Sequence, residues 1–281
     1  NPFAFGPASL FGSEEKGKQL RKWLNEIEKF TKDESVAGLI IDLGSVRAGF
    51  SKKEEMHRAL KKFQDSGKEI IVYAEHGIAN TDYYLISMAD EIYINDLTGI
   101  DLRGLSMEVT FYRQLLDTLN IIPEVFRVNI DGDSYKTAGD PFLERTATEE
   151  MKENYGELLK DIYSVFISGI SEGRSWSEEK TKETINNGPY GISSQIIEQG
   201  LITSTMYQDE FNEYIKEKTT CEKDQECEYN YSIVKWNEID RSKEYVTQWF
   251  PKEKNNIALI YAVGNIMPGS SKKGPSGSTI M

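Results

Sequence analysis

Three short apolar runs, each followed by a stretch of helical periodicity, constrain this chain more than anything else in it. Residues 36–43, 69–74 and 91–95 are dense in Val, Ile, Leu and Tyr. Such continuous runs mark strands covered on both faces, as in parallel sheets. Between and before them the period changes. Residues 14–32 carry Leu20, Trp23, Leu24, Ile27 and Phe30 as one apolar stripe with charges opposite. Ser51-Lys-Lys-Glu54 has the form of a capping box, opening a helix through Met56, Leu60 and Phe63 that stops at Gly67. Shorter helices are expected at 82–88 and 111–119, and a strand at 124–128. Strand–helix alternation of this kind predicts an α/β unit with a mainly parallel sheet.

Beyond residue 145 the pattern turns helical. Thr146-Ala-Thr-Glu149 caps a long helix with Tyr155, Leu158, Leu159, Ile162, Phe166 and Ile170 at its apolar positions. Further helices are expected at 177–186, 193–199 and 208–218. Residues 219–256 are acidic and weakly patterned, and read as a linker. A fresh apolar strand is expected at 256–263, ahead of a flexible Gly/Ser/Lys-rich tail at 269–278.

A formal charge of −13 argues against a nucleic-acid groove, which needs clustered Lys and Arg. It also disfavours an anionic lipid surface as partner. No run approaches the ~20 apolar residues of a spanning helix. His57 sits on a charged helix and is expected to be solvated, while His76 follows a strand. On spacing alone the two histidines make no metal site. Cys221 and Cys227 lie in a polar stretch with too few ligands for zinc. A local disulfide and two free thiols both remain open. Asp131-Gly-Asp133 fails as a calcium loop, because its sixth and twelfth positions are Lys136 and Phe142. No serine lies in a nucleophile elbow, and no cofactor motif is present.

One segment stands apart. After the apolar run Val125-Phe-Arg-Val128, the chain places Lys136 among small and aromatic residues, Ser134-Tyr-Lys-Thr-Ala-Gly-Asp-Pro-Phe142. Proline disfavours helix at the residue before it, so Lys136 is expected on a loop or strand rim. Together with Gly38-Leu-Ile-Ile-Asp-Leu43, Ala89-Asp-Glu-Ile-Tyr93 and Asp101-Leu-Arg-Gly104, this segment resembles signal peptide peptidase A (protease IV). The resemblance covers about residues 38–211 and is to the amino-terminal half of the family's long, internally duplicated form.

That resemblance implies a Clp protease/crotonase-like α/β fold of repeated ββα units with a helical extension. It implies a lysine-bearing repeat at 1–218, a linker at 219–256, and the first strand and flexible start of a second, truncated repeat at 257–281. It implies a serine endopeptidase degrading signal-peptide remnants and other apolar peptides with a Ser–Lys dyad. Lys136 would be the general base, and the serine would lie beyond Met281. A homo-oligomer, four copies in a ring, would be held at the bacterial inner membrane by a segment not present here, facing the periplasm or outside. That location would favour the Cys221–Cys227 disulfide.

A neutral lysine can deprotonate an attacking hydroxyl where no histidine serves. To do so near neutrality, a lysine must lie roughly two to three units below its ordinary pKa of ~10.4. Desolvation by walls such as Tyr135 and Phe142 would supply this. It requires Asp131, Asp133, Asp140 and Glu144 to face away. The aligned serine position of this half is occupied by Asn80, Thr81 is expected to be a helix cap, and Ser45–Gly49 replaces the glycine-rich oxyanion turn. Gly139 and the insertion at 129–133 depart from the family pattern. Two alternatives accompany this reading: a non-catalytic peptide-binding or scaffold ring component, and a crotonase-like acyl-CoA enzyme.

Overall fold

The computed structural model describes residues 19–127, 135–219 and 231–236, and the backbone of residues 273–274 and 277–278. Two compact units are present: residues 23–239, and residues 1–22 with 240–281. In the second, Lys273–Gly274 pairs antiparallel with Gly277–Ser278. All that follows concerns the first. The expected strand at 256–263, Cys221 and Cys227 lie outside the described residues.

The sheet is parallel throughout. Its strands β1 (Gly38–Asp42), β2 (Glu69–Ala74), β4 (Glu91–Ile94) and β6 (Ser204–Thr205) lie in the order β1-β2-β4-β6. A separate parallel pair joins β3 (Ile78–Ala79) to β5 (Ile100–Asp101). Strand β2 is central. Alternation sends Ile70, Val72 and Ala74 into the main core and Ile71 and Tyr73 to the opposite face. The main core takes Leu60 and Phe63 from helix α2 (Phe50–Asp65), Ile27 and Phe30 from α1 (Leu20–Lys32), and Tyr83 and Tyr84 from α3 (Asn80–Ile86). Helix α9 (Gln208–Thr219) covers the other face through Phe211 and Ile215, which pack on Tyr73 and Tyr93. Each such side chain, fully buried, contributes roughly 1.5–3 kcal/mol.

Strand β1 departs from expectation. Its apolar run predicted cover on both faces, yet its residues alternate between exposed and half-buried, and Ile40 is 42% exposed. Among the described residues it is an edge strand, paired with β2 alone. The expected strand at 124–128 is likewise missing: residues 119–127 form no ladder. The capping box is unused, because α2 starts one residue before Ser51, with Gly49 as its N-cap and no side-chain bond. The segment 231–236, part of the expected linker, returns to the main core, where Trp236 meets Phe30 edge to face at 5.1 Å between ring centroids.

Helix α6 (Glu149–Arg174) is the longest element, and its ends behave differently. The first turns are largely exposed, Leu158 at 48% included, whereas Phe166, Ile167 and Ile170 are fully buried. Two glycines one turn apart allow that burial. A Cβ on Gly169 would lie 2.4 Å from Tyr84 Cε2, and one on Gly173 would lie 2.6–2.8 Å from the backbone of Ser87 and Met88. Arg174 Nε then donates to the Ser87 carbonyl at 2.6 Å, just past the C-terminal end of α3. Helix propensity alone favours alanine over glycine by about 1 kcal/mol. At Gly173 the obstruction is backbone, which cannot rotate away. Gly173→Ala should therefore destabilise by about 1–3 kcal/mol despite propensity. Gly156→Ala in the same helix meets nothing within 4 Å and should stabilise by about 0.5–1 kcal/mol. Denaturant midpoints of the two variants check this; a Gly173→Ala midpoint at or above the parent's would refute the close contact.

Candidate active-site segment

The described part of the lysine segment, residues 135–142, leads toward the start of α6. Lys136 is exposed and precedes a 3-10 turn, Thr137–Gly139, that continues into α5 (Asp140–Leu143). Asp140 is helical (φ −58°, ψ −35°) even though proline follows it. Pro141 sits in the first turn of α5, where its missing N–H costs nothing. Gly139 has a concrete role, since a Cβ there would come within 2.7 Å of Val125 Cγ1.

Of the four carboxylates required to face away from the amine, Asp140 is fully engaged elsewhere. Its side chain is 2% exposed. One oxygen accepts from Arg127 Nη1 at 2.6 Å, and the other accepts from the Thr148 hydroxyl at 3.0 Å. Thr148 is also the N-cap of α6, accepting from the Met151 N–H at 3.3 Å. It therefore fills the capping role expected of the stretch from Thr146. Glu144 is exposed, and Asp131 and Asp133 lie outside the described residues. The expected aromatic walls are not closed around the amine. Tyr135 is 55% exposed and donates its hydroxyl to Glu153 at 2.7 Å; Phe142 is 45% exposed and stacks on Tyr112 at 5.6 Å. Beside this segment, Met107, Val109, Phe111, Met151, Tyr155 and Leu159 line an open apolar groove of about 320 Å³.

Asn80, the residue expected to stand where the serine would align, lies elsewhere, at the N-terminus of α3. Asn80 accepts the Arg103 N–H through Oδ1 at 3.1 Å. Thr81 is not a cap, because Ala79 holds that place without a side-chain bond. Instead the Thr81 hydroxyl accepts from Lys53 Nζ at 2.6 Å, and the same nitrogen sits 2.6 Å from Asp82 Oδ1. The ion pair is buried, with side chains 6% and 5% exposed. Asp82 Oδ2 also lies 3.5 Å from the Val46 N–H, in the stretch that follows β1. An amine bonded to both a carboxylate and a hydroxyl is a structural pin between α2, α3 and that stretch. Sequence reasoning missed it. A signal existed in the helical spacing of Lys53, His57, Leu60 and Phe63, the buried residues of α2.

His57 is buried, not solvated. Its ring stacks on Tyr84 with centroids 4.5 Å apart, and Nδ1–H donates to the Tyr84 carbonyl at 2.8 Å. Burial pushes its pKa down, against the opposing bond to the Tyr84 carbonyl and the charge of Glu172. A base whose folded pKa is depressed stabilises the fold above its unfolded value of ~6.5 and loses that contribution as pH falls through the folded value. His57→Gln keeps a donor for the carbonyl without titrating. The melting temperature of the parent should fall more steeply below about pH 6.5 than that of His57→Gln; parallel curves would exclude the effect. His76 is exposed. Among the described residues no cluster of His, Cys, Asp and Glu could hold a metal, and no helix is long and apolar enough to cross a membrane.

The family model for peptidase family S49 matches residues 62–222. "Protease 4" of Haemophilus influenzae is 32% identical over 155 residues, 55% of this chain and 24% of that protein. "Serine protease SPPA, chloroplastic" of Arabidopsis thaliana is 30% identical over 251 residues, 88% of this chain and 35% of that protein. The chain thus spans about a quarter to a third of the length of these relatives. A crystal structure of a peptidase from Plasmodium falciparum superposes at a TM-score of 0.42 with 6% identity, over 67% of this chain and 89% of that one.

Proposed function

The chain belongs to peptidase family S49, and from that premise we propose that it supplies the general-base half of a serine endopeptidase of the signal peptide peptidase type. Lys136 is the base of a Ser–Lys dyad, and the serine is carried by a part of the protein outside these 281 residues. The observation that supports this is the treatment of Asp140. The one carboxylate that follows Lys136 within the same turn is turned inward and bonded to Arg127 and Thr148. It is thereby kept from claiming the amine. The apolar groove along α6 suits an extended apolar peptide, such as a signal-peptide remnant. Lys136 is exposed in this half, so this reading requires its desolvation to come from surfaces beyond the described residues. A further half of the full-length protein and neighbouring copies in a ring of four are the candidates, in a protein held at the bacterial membrane by a separate segment and facing outward.

Hydrolysis of an apolar reporter peptide by the full-length protein, beside its Lys136→Ala variant, tests this. Loss of turnover with folding and assembly intact supports the dyad. Equal turnover would sink the Lys136 dyad and leave either another catalytic chemistry in the protein or a scaffold role for this half, the latter favoured by Asn80 at the expected serine position.

A further inference from the structure

One guanidinium ties the lysine segment together. Arg127 Nη1 donates to Asp140 Oδ1 at 2.6 Å and to the main-chain carbonyl of Lys136 itself at 3.3 Å. Arg127 therefore bonds the flank before residues 128–134 to the flank after them. We propose that Arg127 is a positioning residue for the Lys136 amine. This rests on the reading of Lys136 as the base.

The argument is geometric. Lys136 has φ −84° and ψ 65°, close to an inverse γ-turn. In that conformation the direction of the Cα–Cβ bond follows the tilt of the next peptide plane. The Arg127 bond to the Lys136 carbonyl fixes that plane. Fixing it is useful only if Arg127 is itself fixed, and Asp140 does this. Asp140 is buried, and it is held in turn by Thr148, the cap of α6. Helix α6 is anchored in the main core by Phe166, Ile167 and Ile170. A relay of named bonds thus runs from the core to the backbone of Lys136. On the other side of the lysine, Tyr135 is tied to Glu153 of the same helix. The chain on both sides of the Lys136 Cα is registered to α6, and Lys136 itself is exposed.

Arginine suits the task because its planar fork holds direction as well as charge, whereas lysine offers a point charge on a flexible stem. A base misplaced by about 1 Å can lose on the order of 100-fold in rate with substrate binding unchanged. A residue that merely stabilised the fold would not separate kcat from KM in this way.

The test measures kcat and KM on an apolar reporter peptide for the full-length protein and its Arg127→Gln, Arg127→Lys, Arg127→Gln/Asp140→Asn and Lys136→Ala variants, with folding followed by circular dichroism. Arg127→Gln should lower kcat by about 10–100-fold with KM within about twofold. Arg127→Lys should fall between it and the parent. The double variant carries no buried unpaired carboxylate, so it answers the question if Arg127→Gln does not fold; it should show the same loss in kcat. Parental kcat in a folded Arg127→Gln or double variant overturns the inference, as does a loss confined to KM. If Lys136→Ala is inactive while the Arg127 variants match the parent, only this inference fails. If Lys136→Ala is fully active, the reading of Lys136 as base fails and this inference with it.

Discussion

Replacing Lys136 by alanine in the full-length protein should lower peptidase turnover by about 10²–10⁴-fold, the range that a positioned general base contributes. The loss should sit in kcat, because a base acts on the proton of the attacking hydroxyl and not on the bound peptide. Lys136→Arg separates the base from a simple electrostatic role. Arginine keeps the positive charge and comparable reach but is not deprotonated in proteins. It should therefore be as inactive as alanine, whereas a lysine that only attracted an anionic group would be largely rescued by arginine. Neither variant threatens the fold, since the Lys136 side chain is exposed and the bond to Arg127 is made by its backbone carbonyl. Initial rates on one reporter peptide at several concentrations give the result. A Lys136→Arg enzyme with parental kcat would end the case for the amine as base.

The second large effect is on stability. Lys53→Met should cost about 3–5 kcal/mol, because it leaves the Asp82 carboxylate buried without its cation. The lost partner also deprives the Thr81 hydroxyl of its donor. Replacing both charges, Lys53→Met with Asp82→Leu, should recover most of the loss. Buried pairs replaced by apolar groups are often neutral or better, since two desolvated charges vanish together. Chemical denaturation of the parent, both single variants and the double completes the cycle. A single-variant cost below about 1 kcal/mol would mean that water reaches the pair. The geometry says otherwise: α2, α3 and the stretch after β1 meet at this ion pair, and both side chains are almost fully covered.

How much of this was legible follows from where the information lay. Strands β2 and β4 were plain in the sequence, because buried central strands are built from unbroken apolar runs. Helix α7 (Glu178–Asn187) was equally plain, since Ser177 caps it locally by accepting from the Lys180 N–H. Strand β1 looked covered on both faces and is half-exposed among the described residues, because an apolar run reports what a strand could bury, not what covers it. Strands β3, β5 and β6 have two residues each, too few for any period to show. His57 looks solvated because its helix is charged, and nothing in the local pattern beyond helical spacing singles out Lys53 as buried. The partners of Lys53 and His57, Asp82 and the Tyr84 carbonyl, are 29 and 27 positions away. The lysine segment was visible as a segment, but the inward turn of Asp140 depends on Arg127 and Thr148, and no local pattern announces that. Proline after Asp140 even pointed the wrong way, because a first-turn proline is tolerated by the helix it begins.

The β4–β6 pairing also has a meaning in time. The Ile92 N–H is satisfied by the hydroxyl of Thr203, 111 positions later. At about 5–20 residues per second of synthesis, β4 emerges from a ribosome roughly 6–22 s before the strand that will flank it. For that interval one edge of β4 and the sheet face of Tyr73 and Tyr93, later sealed by Phe211, have no native cover. The nascent chain must wait with one side of its sheet open and with the part of its core that α6 supplies still to come. Its vulnerability during birth is therefore set by the long helical excursion that carries the lysine segment, and not by the strands themselves.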